Sequence, residues 1–189
     1  MKKIAFAISI TLALFSCSKN DTTTTKSNDV KLGDKYKGGI VAYILQSSDP
    51  GYIQGEVHGF IAAEQDQSTT IQWYNGSFTN TGATGASIGK GLANTNTIIA
   101  NQGATATSYA AGLAKAYNGG GFNDWYLPSK DELNKLYLAK ATIGTFTEGH
   151  YWSSTEYSLN DAWNQTFDNG SQYSKGKSNT KCVRAIRSF

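Results

Sequence analysis

The chain has 189 residues with 17 basic and 14 acidic side chains, a formal charge of +3 at pH 7. Lys2 and Lys3 lie in an N-terminal segment that reads as removable; without them the balance is 15 basic against 14 acidic, or +1. No global field then recruits nucleic acid, which argues against such a partner. Twenty glycines against two prolines, with 11 tyrosines and 4 tryptophans, suit a turn-rich mixed domain whose core is aromatic.

Met1-Lys2-Lys3 is a short cationic start, followed by an uncharged apolar run from Ile4 to Phe15. That run is too short for a bilayer core, which takes about twenty helical residues, and matches the apolar region of a secretory signal peptide. It ends in Leu14-Phe15-Ser16-Cys17, which resembles the lipobox of bacterial lipoproteins. The resemblance implies cleavage between Ser16 and Cys17, a diacylglyceryl thioether on the Cys17 sulfur and acylation of the new amine. Residues 18–29 contain no apolar side chain, so residues 17–29 read as a lipidated cysteine and a disordered tether. The expected localisation is the outer membrane, lipid-anchored, with a cell-surface position open. The membrane is thus one partner, and residues 30–189 form one domain. Cys182 is the only thiol left, so no intramolecular disulfide can form. It reads as a small buried residue of a last strand.

In chain order, Gly38–Leu45 and His58–Ala63 are apolar, partly β-branched runs that predict two early paired strands. A short strand is expected at Ile71–Tyr74, with Trp73 as the anchor of a long polar stretch. Helical spacing predicts a short helix near Thr95–Asn101 and a longer one over about Ala106–Tyr117, stopped by Gly119-Gly120-Gly121. Ser129-Lys130-Asp131-Glu132 has the form of a capping box, with Leu133, Leu136 and Tyr137 as the apolar stripe behind it. Tyr151–Thr155 and Ala162–Asp168 alternate as strands, Asn169-Gly170 predicts a type I′ hairpin into Ser171–Lys175, and Cys182–Phe189 reads as one closing strand. Strands, then helices, then an antiparallel meander make an α+β pattern.

Several of these motifs resemble one family. Phe122-Asn123-Asp124-Trp125-Tyr126-Leu127-Pro128-Ser129, Glu132-Leu133, Tyr151-Trp152-Ser153-Ser154-Thr155, Ala162-Trp163 with Phe167 and Gly170, and Val183-Arg184-Ala185-Ile186-Arg187 follow its motif order. It is the Lcl C-terminal domain family, named for the C-terminal domain of a bacterial collagen-like adhesin. Gly38-Gly39-Ile40-Val41 and Gly59–Ala63 look like its first strands, which would carry the resemblance from Gly33 to Phe189. The resemblance implies a C-type-lectin-like fold, with two or three helices packed on a twisted antiparallel meander and paired terminal strands. Stability is then expected from packing around Trp125, Trp152 and Trp163. Members usually carry Arg where this chain has Tyr126, so any salt bridge of that arginine is absent.

Catalytic chemistry finds little support. His58 and His150 are isolated, neither in a metal-ligand spacing, and no metal or other cofactor is expected. Asp131 and Glu132 are explained by helix capping, and Asn123-Asp124 by a turn satisfying its own backbone. The implied fold is shared with formylglycine-generating enzymes, but their reactive cysteines are missing. Calcium-dependent sugar binding lacks its Glu-Pro-Asn sequence. There remains a basic group, Lys175, Lys177, Lys181, Arg184 and Arg187. It reads either as a solvated face that guards strand edges or as an anionic polysaccharide patch. In the second reading the ligand-binding residues are Trp163, Asn164, Tyr173, Lys175, Lys177 and Lys181, with Trp163 or Tyr173 stacking on sugar. The function expected is a non-catalytic, lectin-like module for a glycan or protein ligand at the bacterial surface. The alternative is a structural or assembly lipoprotein without a free ligand.

Overall fold

The computed structural model describes residues 30–103 and 107–189. The signal peptide, the lipidated cysteine and the tether lie outside the described residues, as does the start of the longer predicted helix.

Two sheets share the chain. The first has strands β1 (Lys35–Tyr36), β2 (Gly39–Ile44), β3 (Gly59–Ala62) and β9 (Ile186–Ser188) in the order β1-β2-β3-β9, all antiparallel. The second has β4 (Ser68–Gln72), β5 (His150–Glu156), β6 (Asp161–Thr166), β7 (Gln172–Gly176) and β8 (Thr180–Val183) in the order β4-β8-β5-β6-β7. Its one parallel contact sets Tyr151 beside Cys182. Helices α1 (Gly91–Gln102), α2 (Ala110–Ala116), α3 (Lys130–Leu138) and α4 (Lys140–Ile143) complete a mixed α+β architecture.

Period-two alternation divides the apolar residues between two cores. Ile61, Trp125, Leu127, Trp152 and Val183 enter one core, closed by Ile98 of α1 and Ala110, Ala111 and Ala114 of α2. Their chain neighbours Phe60, Tyr126, Tyr151 and Cys182 enter the other, closed by Leu133 and Leu136 of α3 and Ile143 of α4. Strand β3 is therefore buried on both faces, which explains why its sequence is apolar without a break.

Four elements differ from expectation. The closing strand is split: Val183 ends β8 in one sheet and Ile186 begins β9 in the other. At the crossover Ala185 accepts from the Ala63 amide at 2.9 Å and Val183 from the Gln67 amide at 2.9 Å, so the β3–β4 link crosses alongside. Arg184 fills the junction, donating to Asp66 Oδ1 at 2.7 Å, Ala63 O at 3.0 Å and Thr145 O at 2.6 Å.

The predicted type I′ turn is also absent. It needs positive φ at both Asn169 and Gly170, whereas only Gly170 has it, at 81°. Thr166 N donates to Ser171 O at 3.0 Å across a four-residue loop. The wider loop lets Phe167 drop into the second core, its ring 4.3 Å from that of Tyr151. Finally, α1 is longer and α2 shorter than their patterns suggest. Asn94, just before the predicted start, and Thr95 are buried and bonded to Gly85 and Leu127.

The aromatic anchors of the first core are Trp73, Trp125 and Trp152, all at 0% exposure; Trp163 is only half-buried, so Trp73 takes the place expected of it. The Trp73 and Trp152 indole N–H groups donate to Ser153 O at 2.8 Å and Ile71 O at 3.0 Å, which satisfies them inside the core. Among the described residues no helix is long and apolar enough to cross a membrane.

Candidate functional site

The pairing of β5 through β8 decides which predicted ligand residues can meet. Trp152 pairs with Asn164, Asn164 with Tyr173 and Ala162 with Lys175, so these side chains share one face with His150. Because Cys182 pairs with Tyr151, its neighbour Lys181 joins that face. Four of the six predicted residues, Asn164, Tyr173, Lys175 and Lys181, are thereby gathered.

Trp163 and Lys177 are not part of it. Alternation puts Trp163 on the opposite face, where the Lys130 ammonium sits 4.7 Å from its ring centroid and Tyr157 meets it edge-on at 5.5 Å. Lys177 is fully buried against Glu156. Arg184 and Arg187 are buried as well, Arg187 gripping both oxygens of Asp124 at 2.6 and 2.7 Å. Asp124 thus serves a distant guanidinium as well as its own backbone amide, and the Arg187 contact above all holds its carboxyl below the usual carboxylate range. The basic group of the C-terminal segment is mostly internal framework, and neither the solvated face nor the five-cation patch forms.

On the gathered face the Tyr173 hydroxyl lies 2.6 Å from His150 Nδ1, their rings edge-on at 5.7 Å. The Asn164 amide nitrogen donates to Tyr173 O at 2.7 Å, while its buried Oδ1 has no partner. Lys181, 7% exposed, holds its ammonium 5.1 Å from the Trp152 ring centroid. Neither Lys175 nor Lys181 pairs with a carboxylate among the described residues. Burial, then the charge of Lys175, pushes the Lys181 ammonium down from its ordinary value of 10.5. Burial, then Lys181, does the same to His150 from 6.5, with Asp168 opposing.

Two cations, a titrating imidazole, a phenol and an orphaned amide oxygen converge here. An anion would relieve the mutual repulsion of Lys175 and Lys181. His150 was not legible as a site residue, because its relevance depends on a strand partner 23 residues away. Among the described residues no group of three or more His, Cys, Asp or Glu is arranged to hold a metal ion.

The fold and this face define a mixed α+β module with two cores and a cationic sheet face at which His150 and Lys175 are exposed. The Lcl C-terminal domain model matches residues 63–187, and the chain belongs to that family. Among solved structures it is similar to a fimbrial protein from Bacteroides ovatus, with a TM-score of 0.57 and 14% identity. The match covers 83% of this chain and 48% of that one, so this chain spans about half its length. None of the curated proteins searched matches.

Proposed function

We propose that the chain is an envelope lipoprotein whose domain, residues 30–189, is a non-catalytic, C-type-lectin-like module binding an acidic glycan at the bacterial surface. The observation that carries the glycan reading is the gathering of His150, Asn164, Tyr173, Lys175 and Lys181 on one sheet face. Lys181 is partly desolvated there, its ammonium still reaching solvent, without a carboxylate to neutralise it. Partial desolvation of an unpaired cation next to Lys175 is unfavourable, so a bound sulfate or carboxylate gains free energy by neutralising it. Tyr173 supplies an aromatic edge and a donor beside it, as sugar sites require. Family membership supports a surface role, and the similarity to a fimbrial protein is consistent with the same setting.

The anchor reading rests on the lipobox-like Leu14-Phe15-Ser16-Cys17. Two or three acyl chains at Cys17 hold a protein stably where one chain is marginal, at about 0.8 kcal/mol per buried methylene. Intact-mass analysis of native material should show a chain starting at Cys17 and carrying the acyl mass; an unmodified thiol at Cys17 would sink the anchor reading.

For the ligand, an array of sulfated and uronate-bearing oligosaccharides probed with residues 30–189 should show saturable binding that weakens with salt. Lys181→Ala and Lys175→Ala should each lower affinity about tenfold, the worth of a charge-assisted hydrogen bond. Blank arrays, or binding indifferent to both substitutions, overturn the reading.

A further inference from the structure

A concavity of about 620 Å³ opens elsewhere in the molecule and shares no residue with the cationic face. One wall is the Glu64–Gln67 link between β3 and β4. The other runs from Leu113 of α2 through Tyr117 and Asn118 to Gly120, with Gly38 at its base. The walls are set by packing. A Cβ on Gly38 would lie 2.7 Å from Gly119 O and 2.9 Å from Gly120 Cα, so the two backbones can meet only without side chains. A Cβ on Gly119 would collide with the Tyr117 ring, which instead lies back edge-on against Trp125 at 4.9 Å.

The polar groups of the groove divide into engaged and free. Asp66 is saturated by Arg184 Nε at 2.7 Å, the Tyr151 hydroxyl at 2.7 Å and Thr147 Oγ1 at 2.8 Å. Gln67 is held by the Ala185 amide and Gln65 O. The side-chain amides of Gln65 and Asn118 and the Tyr117 hydroxyl have no partner among the described residues, and Glu64 commits one oxygen to Lys35 at 3.2 Å. Burial and the Glu64 charge raise the Tyr117 pKa, so that hydroxyl stays a donor. Leu113, Ala116 and the Tyr117 ring supply the apolar lining.

We propose that this groove is a second ligand site, taking an uncharged sugar ring through its hydroxyls. Formal charges cancel, Glu64 and Asp66 against Lys35 and Arg184, so neither an anion nor a cation is favoured. Planar amides and a half-free carboxylate accept and donate to adjacent hydroxyls in pairs, and the apolar lining suits the C–H face of a pyranose. The inference does not rest on the acidic-glycan reading, because no residue is common to the two sites.

The test is saturation-transfer NMR on the full chain in a non-sugar detergent. The probes are methyl glycosides of glucose, galactose, mannose and N-acetylglucosamine, with tetraglycine as a neutral peptide comparison. At least one glycoside should saturate with a Kd at or below about 10 mM. Asn118→Ala and Tyr117→Phe should each weaken that binding about tenfold, and Lys181→Ala should leave it unchanged. The proposal is overturned by no saturation with any glycoside, by saturation with tetraglycine alone, by binding that both groove substitutions leave intact, or by binding that Lys181→Ala removes. Loss of acidic-glycan binding in Lys181→Ala with neutral binding retained separates the two sites.

Discussion

The Lys177 ammonium lies 2.5 Å from Glu156 Oε1, with the two side chains at 0% and 1% exposure. The same ammonium donates to Thr79 O at 3.0 Å and Leu159 O at 2.8 Å and stands 4.8 Å from the Trp73 ring centroid. Glu156 in turn accepts from the Thr81 and Gly82 amides, each at 2.9 Å. The pair therefore ties the loop before α1 to the β5–β6 and β7–β8 connections. Desolvation of both ions offsets much of their attraction, so the pair specifies the arrangement more than it stabilises it.

Removing one partner is a different matter, because it strands a buried charge. Lys177→Met should lower unfolding free energy by about 3–5 kcal/mol in urea titrations, and Lys177→Met/Glu156→Gln should recover a large part of that loss. A single substitution costing under about 1 kcal/mol would mean that water reaches the pair.

The α3 cap should behave as a local element. Ser129 Oγ accepts from the Glu132 amide at 3.3 Å and donates to Ser87 O at 2.9 Å, while Glu132 Oε2 accepts from the Ser129 amide at 2.7 Å. Ser129→Ala should cost about 1–2 kcal/mol, read as a lower denaturation midpoint at unchanged slope. Ser129→Asp, which keeps a cap acceptor for the Glu132 amide but cannot donate to Ser87 O, should do worse than a cap substitution at an exposed site.

Acidic-ligand affinity should depend on pH with a definite sign. His150 titrates below 6.5 in the free protein, pushed down by burial and Lys181, so an anion gains a third cation as pH falls through that value. Affinity should rise on acidification, and His150→Gln should flatten the rise. The free protein moves the other way: its unfolded chain takes up the proton first, so stability falls below pH 6.5 and ligand restores it. At the alkaline end affinity should fade below the ordinary lysine value of 10.5, because Lys181 loses its proton early. Calorimetric titration across pH measures both limbs.

Cys182 should be chemically quiet. Burial, reinforced by Asp66, pushes its thiol up to about 11, and its Sγ–H faces Thr69 O at 3.8 Å. Thiolate is the reactive form, so alkylation at pH 8 should be at least about a hundredfold slower in the native protein than in urea. Equal rates would place the thiol in solvent.

Legibility followed the range of the interaction. The α3 start was readable because its capping atoms lie within four consecutive residues, and β2 and β3 because each is a short, unbroken, partly β-branched apolar run. The Asn169-Gly170 turn was misread because Phe167 stacks on Tyr151 and Phe146, contacts that no local dipeptide rule contains. Of the candidate site, Asn164, Tyr173, Lys175 and Lys181 could be named, but their grouping with His150 and their separation from Trp163 came from strand register.

By itself the sequence determined the element types, the Lcl-type motif order and a chain with one thiol beyond Cys17, since each depends on residue identity and short spacing. Tertiary structure decided the fate of the C-terminal cations. Lys177, Arg184 and Arg187 find carboxylates 21, 118 and 63 residues away, and only those pairings make their burial tolerable. Lys175 and Lys181 find none, and so are left to whatever the cationic face meets. The physical reason is that a charge's free energy depends on its solvation and on its nearest counter-charge, both properties of the folded neighbourhood.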